Sequence, residues 1–145
     1  MKEAYYRRTA KNKHTISTNI TMYRRVLVVE DHDGFRHLIG NFLSKKFEVI
    51  SAKNGLEAMT WLSAGMIPHV IVTDTRMPEI NGEQLLHHLR CSGIYGDIPV
   101  VVMSEQGKDG DEARYKLLGA SGYLKKPFNP TLLQERLDQI TRAYS

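Results

Sequence analysis

The residues of this chain best suited to chemistry stand directly behind short apolar runs. Glu30 and Asp31 follow residues 26–29 (VLVV), Asp74 follows 70–73 (VIVT), Ser104 follows 100–103 (VVVM), and Lys126-Pro127 lies just beyond 122–124 (GYL). If these runs are parallel strands of one sheet, their carboxyl ends share an edge. Carboxylates gathered there repel by about 4 kcal/mol per pair at 4 Å for an effective dielectric near 20. Lys126 supplies one positive charge and leaves the cluster negative, so a divalent cation is the natural remainder. Carboxylate oxygens without a nearby Cys or His ligand set suit Mg²⁺ (or Mn²⁺), which keeps several waters and accepts phosphate oxygens.

The segments between these runs carry a helical period. Phe35, Leu38, Ile39, Phe42 and Leu43 repeat at i, i+3, i+4, i+7, i+8 and predict one apolar stripe. Residues 47–52 form a further strand, and Asn54 caps a helix carrying Ala58, Met59, Trp61 and Leu62. Pro78 and the Asn81-Gly82 pair mark a turn before a helix with Leu85, Leu86 and Leu89. Residues 105–111 are polar and glycine-bearing, hence a loop, followed by a helix expected to bury Ala113, Leu117 and Leu118. Asn129 and Pro130 supply an N-cap and a first-turn proline for a last helix with Leu133, Leu137 and Ile140. Five strands alternating with five helices predict an α/β fold, a doubly wound five-stranded parallel sheet with helices on both faces. In such folds ligands bind at the carboxyl ends of the strands, which locates the site independently of any motif.

Four of these strand-end segments closely resemble the receiver domain of bacterial two-component response regulators. They are residues 28–31 (VVED), 73–82 (TDTRMPEING), 103–104 (MS) and 119–128 (GASGYLKKPF), and the resemblance spans about 120 residues from Arg24. It implies strand order 2-1-3-4-5 and a phosphoryl group accepted on Asp74 from a histidine kinase or histidine phosphotransfer protein. It further implies that Glu30, Asp31, Asp74 and the backbone carbonyl of Arg76 hold Mg²⁺, and that Lys126 and Ser104 each meet a phosphoryl oxygen. Ser104 and Tyr123 match the family's switch pair, in which the tyrosine turns inward when the hydroxyl moves toward the phosphoryl group. The Lys126-Pro127 bond is expected to be cis, as in the family.

The chain departs from that pattern where receivers usually carry a small residue after the strand-four hydroxyl; here it is Glu105. Arg76 and Gln106 occupy positions that shape site access and loss of the phosphoryl group. Asn81 replaces a common aspartate and reads as a turn residue tolerant of positive φ. A hydrolase with Asp74 as nucleophile is disfavoured, because haloacid-dehalogenase-like phosphatases carry a second aspartate where this chain has Arg76. A nucleotide-binding reading lacks its glycine pattern. The expectation is a switch module rather than an enzyme, at most taking up and shedding its own phosphoryl group. A phosphorylation-independent pseudo-receiver acting as a protein-interaction module is the alternative.

Length and charge bound the rest. The 145 residues, 41% hydrophobic, are one domain's worth of chain. Residues 1–25 hold seven basic residues against Glu3, so the net +4 conceals a basic leader on a slightly acidic domain. We read residues 1–23 as a basic, flexible leader without specific nucleic-acid binding, and 24–145 as the receiver domain. Cys91 stands alone, which fits a reducing cytoplasm. No apolar run reaches membrane-spanning length, so no membrane insertion is expected. A monomer or weak dimer acting on an unidentified downstream protein completes the expectation. His32, His37, His87 and His88 lack a metal-ligand spacing and belong on the surface. Met59, Met103 and Trp61 read as packing residues.

Overall fold

The computed structural model describes residues 24–105 and 109–142; the basic leader and Gln106 lie outside the described residues. Five strands and five helices alternate. They are β1 (Arg24–Val29), α1 (Asp33–Leu43), β2 (Phe47–Ala52), α2 (Gly55–Ser63), β3 (Val70–Asp74), α3 (Gly82–Arg90), β4 (Val100–Ser104), α4 (Asp111–Leu117), β5 (Gly122–Lys125) and α5 (Pro130–Thr141). All strand pairs are parallel and the sheet order is β2-β1-β3-β4-β5. This is the predicted doubly wound architecture. Among the described residues, no helix is long and apolar enough to cross a membrane.

The alternation of side chains along each strand divides the core between two faces. Val26, Val28, Val70, Val72, Val101 and Met103 pack with Ile39 and Leu43 of α1 and Leu133 and Leu137 of α5. Leu27, Val29, Ile71, Val100 and Val102 pack on the other face with Ala58 and Leu62 of α2 and Leu85, Leu86 and Leu89 of α3. Covered on both sides, the central strands must be continuously apolar, which is why they were visible as unbroken runs.

Local signals set the helix starts. Asn54 accepts from Glu57 N at 2.8 Å, and Asn129 accepts from Thr131 N at 2.9 Å ahead of Pro130. Asn81 is an N-cap rather than a positive-φ turn residue: its φ is −79°, and it forms a reciprocal capping box with Gln84. The left-handed residue in that loop is Glu79, at φ 67°.

Two apolar assignments need correction. Leu38 lies on α1 but is 58% exposed, outside the stripe that Ile39 and Leu43 bury. On α4 the expected inward residues face solvent: Ala113 is exposed and Leu117 is 89% exposed, while Tyr115 is the residue buried. A seven-residue helix with few apolar positions leaves its rotational phase undecided by pattern alone. The larger aromatic surface of Tyr115 goes inward.

Candidate functional site

The strand register brings the polar residues to one edge. Val29 pairs with Thr73, Asp74 with Met103, and Ser104 with Lys125, so the residues just past each strand converge. The backbone after β3 is drawn close to α3, where Gly82 N donates to Thr75 O at 3.1 Å. A Cβ at Gly82 would collide with the Asp74 carbonyl oxygen, so this position requires glycine for close approach. On the β1 side, His32 caps α1 by accepting from Phe35 N at 3.0 Å, and Arg36 donates to the Glu30 carbonyl at 2.8 Å. Both bonds fix the turn that presents Glu30 and Asp31.

Carboxylate oxygens of Glu30, Asp31 and Asp74 lie within 4.8 Å of one another. Glu30 and Asp74 are buried, 1% and 6% exposed, while Asp31 faces solvent. The Lys126 ammonium sits between the buried pair, 2.8 Å from Glu30 Oε1 and 3.4 Å from Asp74 Oδ1, and 4.6 Å from the centre of the Phe35 ring. Glu30 Oε2 also accepts from His32 N at 3.1 Å, and Asp74 Oδ1 from Thr75 N at 2.8 Å.

These partners only partly offset the loss of water. Burial lifts the Glu30 carboxyl above its ordinary value despite the hydrogen bonds from Lys126 and His32, and the Asp74 charge adds to the rise. Burial likewise lifts Asp74, against the pull of Lys126 and Thr75, with Asp31 pushing the same way as burial. Lys126 is pulled down by burial, but its hydrogen bond to Glu30 and the two carboxylate charges prevail and hold it above the usual lysine value. One ammonium therefore does not neutralise the cluster. Three convergent hard oxygen donors with residual negative charge fit a small divalent cation such as Mg²⁺.

A cleft of about 600 Å³ opens at this edge, and Glu30, Asp31, Asp74, Arg76, Glu105, Lys126 and Pro127 are among the predicted residues that line it, whereas Ser104 and Tyr123 do not. Ser104 is buried at the end of β4, and its carbonyl accepts from Lys126 N at 2.8 Å. The Lys126-Pro127 peptide bond is cis. Arg76 and Glu105 are exposed on the rim. Tyr123 is 9% exposed, and its hydroxyl has no partner among the described residues. Its ring stacks on Tyr115 with centroids 5.9 Å apart.

Sequence reasoning missed three contributors. Tyr115 was findable as the lone aromatic between the loop and β5. The Phe35 ring beside Lys126 was assigned only to packing, and its companion Phe128 meets it edge-on at 6.1 Å. The Thr75 N–H on Asp74 is a backbone donor and leaves no trace in residue type.

Comparison with known proteins agrees with this geometry. The response regulator receiver domain model matches residues 26–138. The chain is 32% identical over 118 residues to the chemotaxis protein CheY1 of Helicobacter pylori, covering 80% of this chain and 95% of that protein. It is 33% identical over 125 residues to the phosphate regulon transcriptional regulatory protein PhoB of Escherichia coli, covering 86% of this chain and 54% of that protein. Among solved structures, the receiver domain of a Francisella response regulator superposes with a TM-score of 0.77 at 25% identity, covering 84% of this chain and 99% of that one. The Vibrio cholerae chemotaxis protein CheY4 gives a TM-score of 0.74 at 28% identity, covering 81% and 98%.

Proposed function

Because the chain belongs to the response regulator receiver family of two-component signal transduction, we propose that Asp74 is the residue that accepts the phosphoryl group. The donor is a phosphohistidine on a histidine kinase or histidine phosphotransfer protein. An Asp74 carboxylate oxygen forms the new O–P bond as the donor's P–N bond breaks. The imidazole leaves with the electron pair and takes a proton from solvent. The observation that carries this reading is the convergence of Asp74 with Glu30, Asp31 and Lys126 at one strand edge.

Transfer of this kind asks the protein for positioning and charge neutralisation rather than covalent chemistry. The Thr75 N–H orients the Asp74 carboxylate. Lys126 pairs with one phosphoryl oxygen, a role supported by its 3.4 Å approach to Asp74. Ser104 donates its hydroxyl to another. Glu30, Asp31, Asp74 and the Arg76 carbonyl would hold Mg²⁺, which when bound supplies positive charge to the phosphoryl oxygens. In this reading the exchange takes place in the cytoplasm, and its result is a changed affinity for a downstream protein. The face built by α4, β5 and α5 carries that change, with the packed Tyr115 and Tyr123 pair beneath it. The chain is no enzyme in the ordinary sense, since the group it takes up is its own modification.

Incubation with phosphoramidate and Mg²⁺ is expected to add one phosphoryl mass to the protein. The added mass should disappear in Asp74→Asn and on chelation of the metal. Labelling that persists in Asp74→Asn assigns the acceptor elsewhere and overturns the reading.

A further inference from the structure

The acceptor cleft carries a fourth acid on its rim. Glu105 is exposed and lines the same cleft as Asp74 and Lys126, one residue beyond the buried Ser104. Among the described residues it forms no hydrogen bond or ion pair that would hold it away from the cleft or cancel its charge. Of the side chains lining the cleft, Glu30, Asp31, Asp74 and Glu105 are acidic, whereas Lys126 and Arg76 are basic. The lining is thus two charges negative, and a bound divalent cation brings it to neutrality. Without Glu105 the loaded cleft would be positive and would attract any anion.

Building on Asp74 as acceptor, we propose that Glu105 is a specificity-determining residue, an electrostatic filter that biases the site against strongly anionic small-molecule phosphodonors. The favoured donor has a leaving group that is neutral or cationic, as the imidazole of a phosphohistidine is. Acetyl phosphate is a dianion whose O–P bond breaks to release acetate with the electron pair. Phosphoramidate carries one net negative charge, and its P–N bond breaks to release ammonia with the electron pair. Both deliver the same phosphoryl group to an Asp74 oxygen, so they differ in the charge they bring past Glu105. In water at roughly 10 Å and low ionic strength, where the Debye length is about 30 Å at 0.01 M, one charge pair changes an encounter rate about twofold. Removing the Glu105 charge should then accelerate labelling about fourfold for the dianion and about twofold for the monoanion.

The test compares initial labelling rates with acetyl phosphate and with phosphoramidate, at low and high ionic strength, for the parent protein, Glu105→Gln and Glu105→Ala. Mass spectrometry reads phosphoryl incorporation. Glu105→Gln keeps the size and removes the charge. It is expected to favour acetyl phosphate over phosphoramidate by a further factor of about two relative to the parent, and high salt should erase that factor. Equal acceleration of both donors by Glu105→Ala alone makes the side chain a steric plug and overturns the proposal. Unchanged rates in both variants overturn it as well. If neither the parent nor the two Glu105 variants take label from either donor, the acceptor assignment of Asp74 falls; label on Asp74 without a charge effect at Glu105 overturns the filter alone, which separates the two failures.

Discussion

Asp74 is a carboxyl whose surroundings disfavour its own charge. Burial is the largest influence and lifts it above 3.8, with the Lys126 ammonium and the Thr75 N–H opposing and the Asp31 charge reinforcing. Below 3.8 the group is protonated whether the chain is folded or not, and it contributes nothing to the pH dependence. As pH rises through the higher folded value, the folded state holds more protons than the unfolded state, so stability falls across that window. At neutral pH the ionised Asp74 is then a standing cost to the metal-free fold. Asp74→Asn is expected to stabilise the metal-free protein at pH 7 and so to raise its Tm, because it removes a carboxyl whose charge burial disfavours. Lys126 keeps its 2.8 Å partner Glu30 in the variant, so no unpaired ammonium is created. Thermal melts in chelator across the acid range check the sign, because the two proteins should converge as pH falls below 3.8. A variant that melts lower at pH 7 would contradict the electrostatic account. The fold thus keeps a cluster of three convergent carboxylates at some expense to its own stability.

At the scale of elements, α4 separates what periodicity can and cannot reveal. Its apolar letters point to Leu117, but the helix buries Tyr115, which stacks on Tyr123 of β5. Arg114 crosses the Tyr115 ring at 4.7 Å and reaches Glu83 of α3 at 2.6 Å, so the rotational setting of α4 is secured from outside as well. Tyr115→Ala is expected to cost about 3 kcal/mol, in the range for emptying an aromatic core position. Leu117→Ala should stay within about 0.5 kcal/mol, as exposed substitutions do. Urea unfolding at unchanged m-value distinguishes them, and the reverse ranking would restore the phase read from the sequence. The strands were legible because burial on both faces forces runs such as residues 70–72 to be apolar throughout. Asn54, Asn129 and Pro130 were legible because capping is a local bond between near neighbours. Tyr115 and Leu38 were not, since each depends on what packs nearby in space rather than in sequence; Asn81 lay within reach of local reasoning, because its capping box with Gln84 spans three residues, but it reads equally as a turn residue.

For the molecule as a whole, the site is a product of topology. Residues separated by up to 96 positions, as Lys126 is from Glu30, meet only when the parallel sheet is assembled in its register. The carboxylate cluster therefore does not exist in the unfolded chain, and a cation that needs it binds only the folded state. Such binding stabilises by mass action, by about 2.7 kcal/mol when the free ion is at 100 times its dissociation constant. Mg²⁺ is accordingly expected to raise the Tm of the parent protein in a concentration-dependent way. The rise should shrink toward acid pH, because burial lifts Glu30 and Asp74 so that protons compete with the ion. Asp31 is exposed and Glu30 and Asp74 are buried, so Asp31→Asn removes the negative charge of one donor with little effect on packing. Its melting temperature without metal should match the parent's within a degree or two, while most of the Mg²⁺-induced rise is lost. A rise of equal size in both proteins would mean that the ion acts by general screening of surface charge, and the strand-edge carboxylates would then have no claim to it.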